Sequence, residues 1–204
     1  MIAIIDYGLG NVKAFYNVYK NLNIPVTIAG QSKDLNNATK IILPGVGAFD
    51  HAMGRLNQSG MRELLDKLVL NKHVPVLGIC VGMQMSGNSS EEGKLPGLGW
   101  IEGEVKKFVP TSSTSNFYIP HMGWNNISSV KENDLMKGLD QHSRFYFLHS
   151  YYFQCNKAED IVAVTDYGNR FTCVVNRGNI YGVQFHPEKS HQWGIQLLRN
   201  FTEL

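Results

Sequence analysis

The sequence predicts an α/β protein built on a mixed, mostly parallel central sheet with helices on both faces. Three observations carry that prediction. Strand-like and helix-like segments alternate through the first half, and the strand-like ones are apolar on consecutive residues, as in strands covered on both sides. The second half becomes a series of aromatic and β-branched runs separated by turn residues, which suits antiparallel or mixed strands added on one side.

Taken in order, IAIID (residues 2–6) reads as a strand that starts at once and ends in the glycine turn YGLGN. After it Val12, Phe15, Tyr16, Tyr19 and Leu22 fall at helical spacing. PVTIA (25–29) and KIILPG (40–45) read as two further strands, MRELLDKLVLNK (61–72) as an amphipathic helix and VPVLGIC (74–80) as another buried strand. Beyond the loop SGNSSEEG (86–93), strand character returns in 99–109, RFYFLHSYYF (144–153), IVAVTDYG (161–168), RFTCVVNRG (170–178) and IYGVQFHPE (180–188), with Asn169 and Gly178 as turn signals. TSSTSN (111–116) reads as a mobile polar loop. SHQWGIQLLRNF (190–201) supplies a closing helix whose expected core side is Trp193, Ile195, Leu197 and Leu198.

At 204 residues the chain fits one domain, 1–204. Nineteen Lys and Arg against 17 Asp and Glu leave a formal charge of +2, with no basic stripe to suit nucleic acid. Three cysteines, Cys80, Cys155 and Cys173, show no CxxC spacing, which argues against a disulfide scaffold or structural zinc site and for a reducing compartment. MIAIIDYGLGN has no basic segment ahead of its apolar residues and reaches an aspartate early, so it reads as neither signal peptide nor membrane span; the expectation is a soluble cytoplasmic protein. His121, His149, His186 and His191 stand at no paired-ligand spacing, and no metal or cofactor is expected.

VLGICVGMQM (76–85) places Cys80 between Gly78 and Gly82 at the end of an apolar run. One reading is a small core hydrophobe. The other is a nucleophile on a strained strand-to-helix turn, where the flanking positions have no room for side chains and the Val81 N–H becomes an oxyanion donor. A cysteine nucleophile also needs a base. His186 ends the run IYGVQF, is followed by Pro187, and has Glu188 two residues on to fix its tautomer, although HPE at a strand end is also an ordinary turn. LPGVGAF (43–49) adds a loop whose Gly45 and Gly47, on either side of Val46, let backbone N–H groups approach a ligand, or make a plain tight turn.

GICVGMQ with VQFHPEKS resembles the cysteine-dependent, class I glutamine amidotransferases. IIDYGLGN, ILPGVGAF, SSEEG, GLGW, IPHMGWN and YFLHSYY extend the resemblance along nearly the whole chain, to the branch that forms the glutaminase subunit of imidazole glycerol phosphate synthase. The resemblance implies hydrolysis of glutamine through a thioester on Cys80, with His186 as base and Glu188 orienting it. It implies oxyanion donors at Val81 and in the loop holding Gly45, Val46 and Gly47, and glutamine binding by Gln84 and the backbone of His149, Ser150 and Tyr151. It also implies a (β/α)8 barrel cyclase partner in a heterodimer, met near Asn11, Trp124, Tyr146 and Lys189, which receives the ammonia for histidine biosynthesis.

Three features depart from the usual pattern of that branch: Val81 in place of leucine, the stretch Met85 to Glu92, and Trp100. They look more like a paralogous branch that supplies ammonia to amidate a surface-polysaccharide sugar, and they lean slightly that way. A catalytically silent amidotransferase-like subunit and a cysteine hydrolase or peptidase are the remaining alternatives.

Overall fold

The structure, a computed structural model, describes residues 1–109 and 118–204; the stretch 111–116, expected to be a mobile loop, lies outside the described residues. The first half lays down β1 (Ile2–Ile5), β2 (Val26–Ala29), β3 (Lys40–Gly45) and β4 (Val76–Cys80). Paired in parallel, they take the order β2-β1-β3-β4. Every residue of β1 and β4 is buried, the expected result for consecutive apolar residues covered on both faces.

Short two-residue and five-residue strands follow as β5 (Ser89–Ser90) and β6 (Gly103–Lys107). The second half contributes β7 (His121–Asn126), β8 (Ser128–Ser129), β9 (Arg144–His149), β10 (Tyr151–Cys155), β11 (Ile161–Tyr167), β12 (Asn169–Arg177) and β13 (Ile180–Val183). Although late in sequence, β13 inserts beside β4 in parallel, and the sheet then continues antiparallel through β12, β10 and β6. That places the carboxyl ends of β3, β4 and β13 on one edge, the usual location of ligands in such sheets.

Helices α1 (Val12–Asn21), α2 (Phe49–Gln58), α3 (Arg62–Asp66), α4 (Val81–Met85) and α5 (His191–Glu203) connect or close the sheet, and α3 runs on into a π-helical turn at Lys67–Asn71. No helix among the described residues is long and apolar enough to cross a membrane.

Four details differ from the sequence reading. Helix α2 was not foreseen, although its buried residues Phe49, Ala52, Met53 and Leu56 stand at i, i+3, i+4 and i+7, a helical stripe. RFYFLHSYYF is not one strand: it breaks at Ser150, with β9 pairing β7 in a separate two-stranded sheet and β10 joining the main one. Asn169 belongs to β12, and the turn before it is made by Gly168 at φ +71°. In α5 the buried residues are Gly194, Leu197, Leu198, Asn200 and Phe201. Ile195, about 100° around the helix from Gly194, is 40% exposed, and Trp193 is half-buried.

Candidate active site

Strand β4 ends on Cys80, which adopts φ +54° and ψ −110° before α4 begins at once with Val81. That conformation is strained for a residue with a Cβ, and it persists only because the surroundings hold it. Two glycines make the turn possible. A Cβ on Gly78 would lie 2.7 Å from the Gly82 carbonyl oxygen, and one on Gly82 would run into the Leu43 carbonyl oxygen.

Across the sheet edge β13 delivers His186 three residues past its end. The Nδ1 of His186 lies 3.0 Å from Glu188 Oε1, and both side chains are buried, 5% and 1% exposed. With Nδ1 donating to the carboxylate, Nε2 is the nitrogen left for the thiol. Burial pulls His186 down, but hydrogen bonds to Cys80 and Glu188, with the charges on both, outweigh it and hold the imidazole up at about 10.

The other two thiols are placed differently. Burial, aided by Asp160, pushes Cys155 up to about 12, and complete burial raises Cys173 well above its ordinary value. Neither is a nucleophile near neutrality, and neither lines the cleft.

Cys80 and His186 open onto a cleft of about 330 Å³, also lined by Val46, Gly47, Val81, Gln84, His149, Ser150, Tyr151 and Lys189. Its volume suits a small ligand. Gly45 is near but does not line it: as the last residue of β3 it pairs in register with Cys80 and packs on the Gly82 backbone. Gln84 donates through Nε2 to the Tyr151 carbonyl and to Gln184 Oε1, both at 3.0 Å. Gln184 Nε2 in turn lies 3.7 Å from Cys80 Sγ.

Two functional candidates escaped the sequence reading. Gln184 sits inside VQFHPE without a local signal of its own. Glu92 lines the cleft and accepts through Oε2 from the Phe49 N–H at 2.8 Å, at the start of α2. Its carboxylate reaches the site from the loop just after β5, a separation from Cys80 that no spacing rule singles out.

Of the residues expected near a partner, Lys189 lines the cleft, and Asn11, Trp124 and Tyr146 do not. Trp124 and Tyr146 are register partners on the β7–β9 ribbon, with ring centroids 6.1 Å apart, and Lys189 Nζ stands 5.7 Å from the Tyr146 ring centroid at the cleft's mouth. Met122 and Leu148, the neighbouring register pair on the same face, are 64% and 37% exposed. Asn11 is exposed immediately before α1.

Of the named departures, Val81, Met85 and Trp100 are buried, whereas Asn88, Ser89 and Glu91 in the stretch Met85 to Glu92 are exposed. Trp100 Nε1 donates to Asp66 Oδ1 at 2.8 Å, tying a loop to α3. The side chains of Val81, Met85 and Trp100 pack within this chain, so they lend the lean toward sugar amidation no structural support.

Residues 3–204 match the family described as Glutamine amidotransferase class-I. The chain is 57% identical over its full length and that of the relative to an imidazole glycerol phosphate synthase subunit HisH of Bdellovibrio bacteriovorus. It is 54% identical, again over the whole of both chains, to the protein of that name in Leptospira interrogans. A crystal structure of a glutamine amidotransferase superposes with a TM-score of 0.76 at 18% identity, covering 99% of this chain and 97% of that one, a likeness of fold.

Proposed function

Because the chain belongs to the class I glutamine amidotransferases, in the branch of the imidazole glycerol phosphate synthase subunit HisH, we propose that Cys80, His186 and Glu188 hydrolyse glutamine and that the ammonia passes to a (β/α)8 barrel cyclase subunit for histidine biosynthesis. The observation that carries the residue assignment is the strained Cys80 turn facing the buried His186–Glu188 pair across one cleft.

That geometry supports the following steps. His186 takes the thiol proton, and the thiolate attacks the side-chain carboxamide carbon of glutamine. Negative charge develops on the amide oxygen, toward the Val81 N–H and the Gly45–Gly47 backbone. The C–N bond then breaks, the His186 imidazolium gives its proton to the leaving ammonia, and a thioester remains on Cys80. Water, deprotonated by His186, attacks the thioester, and the C–S bond breaks to release glutamate and restore the thiol. Gln84 and the His149–Tyr151 backbone hold the substrate, and Glu92 supplies the negative charge that faces its α-ammonium group.

The apolar face of exposed Met122, Trp124 and Leu148 with half-buried Tyr146, beside the cleft, is where the barrel subunit docks. Docked there, the partner receives ammonia directly and completes the oxyanion hole through the Gly45–Gly47 loop.

The test combines the chain with its barrel subunit, glutamine and the histidine-pathway nucleotide, following glutamate and imidazole glycerol phosphate. Both products are expected, and Cys80→Ala abolishes glutamate formation. Pairing and glutamine hydrolysis without imidazole glycerol phosphate would overturn the acceptor assignment; full activity in Cys80→Ala would overturn the nucleophile.

A further inference from the structure

Two histidines outside the catalytic set are buried beside the cleft. His121 and His149 face each other as register partners on β7 and β9, 3% and 7% exposed. The His121 ring is stacked between Phe147, at 4.7 Å and 18°, and Tyr167, at 3.9 Å and 17°. Among the described residues no carboxylate pairs with either imidazole.

Their hydrogen bonds permit one arrangement of protons when both rings are neutral. His149 Nδ1 lies 2.7 Å from the Tyr151 carbonyl, which can only accept, so Nδ1 carries the proton and Nε2 is an acceptor. His121 Nδ1, 3.2 Å from that Nε2, must then donate, leaving its own Nε2 to accept from Asn125 Nδ2 at 3.5 Å. Burial supports the neutral forms, pushing His121 down to about 4 and His149 to about 3.

The relay ends on the carbonyl that also accepts from Gln84 Nε2 at 3.0 Å. Tyr151 O therefore joins two networks. One arrives from α4 behind Cys80, the other from the β7 strand that bears Trp124.

We infer that His121 and His149 are positioning residues: a relay of neutral imidazoles that fixes the Ser150–Tyr151 backbone in the shape that binds glutamine. This rests on the glutaminase reading of the cleft. Break the relay at His121 and His149 Nε2 becomes a buried acceptor without a donor, freeing the ring and the backbone it holds.

His121→Phe keeps the stacked ring and removes the donor; His121→Asn places an amide Nδ2 near the position of the lost Nδ1. In the complex with the barrel subunit, His121→Phe raises the KM for glutamine about tenfold while kcat stays within about twofold, and His121→Asn recovers most of the loss. An unchanged KM in folded His121→Phe, or a fall in kcat at constant KM, overturns the proposal. Nitrogen-15 spectra of the wild-type imidazoles at pH 7 provide a readout independent of turnover and of the variants' folding. Both rings are expected neutral with the proton on Nδ1, and an Nε2-protonated or charged ring overturns the relay. Failure of the underlying reading looks different: the wild-type complex would then release no glutamate, whatever the tautomers.

Discussion

Glu188 Oε1 lies 3.0 Å from His186 Nδ1, while its Oε2 is buried and has no hydrogen-bond partner among the described residues. A carboxylate held so asymmetrically has the imidazole as its main compensation, so its charge acts chiefly on His186. Glu188→Gln keeps an acceptor for Nδ1–H and removes the charge that stabilises the imidazolium. Glutamine turnover is expected to fall by roughly 10²-fold or more with little change in KM, measured as steady-state glutamate release by the complex.

Cys80→Ala should cost about 10⁴-fold or more in kcat, and a second lesion at His186 should add little, because nucleophile and base act as one unit. The comparison of single and double variants checks this. Full additivity would mean that His186 does not serve Cys80. Pairing with the barrel subunit should survive in Cys80→Ala, since the thiol lies below the surface at 3% exposure.

Glutamine hydrolysis by the isolated chain should be slow and rise on adding the barrel subunit. Gly47, at φ +83° in the loop facing Cys80, has the backbone freedom to re-aim an N–H between states. Trp124→Ala is expected to weaken the pairing in a calorimetric titration, by about 2 kcal/mol if the indole is an interface anchor.

Gly82→Ala should destabilise the fold by about 1–3 kcal/mol or more, because the added methyl meets the Leu43 carbonyl oxygen. Trp100→Phe should cost about 1 kcal/mol through the lost hydrogen bond to Asp66, whose carboxylate stays partly exposed and paired with Arg62. It should leave product identity untouched. Chemical denaturation measures both, and a change of ammonia acceptor in Trp100→Phe would contradict the placement of its side chain.

Acid should weaken the fold through His121 and His149. Both native values, about 4 and about 3, lie below the unfolded value of ~6.5. At neutral pH both states are mostly neutral at these positions. As pH falls below ~6.5 the unfolded chain takes up protons that the native chain refuses, so stability is lost progressively down to the native values. Replacing His121 with Phe should make stability less steep in pH between 6 and 4, read from denaturation midpoints across that range.

Much of this was visible along the chain because its signals are local. Consecutive apolar residues announced β1 and β4 as buried strands, and the glycines two places either side of Cys80 announced a turn that leaves no room for side chains, since steric exclusion acts between neighbours in sequence. The pairing of His186 with Glu188 was legible for the same reason: two residues apart, they can meet without the rest of the fold.

What spacing could not supply is everything set by contacts between distant segments. Nothing in IYGVQF says that β13 enters the sheet beside β4, yet that insertion alone carries His186 to Cys80. Glu92 reaches the cleft by capping α2, and Trp100 is removed from any acceptor by packing on Asp66. His121 and His149 become partners only when β7 and β9 come into register. Each of these depends on which surfaces pack and which backbone groups pair once the chain is closed, and those choices are made by the burial and hydrogen bonding of the whole molecule, not by any one segment.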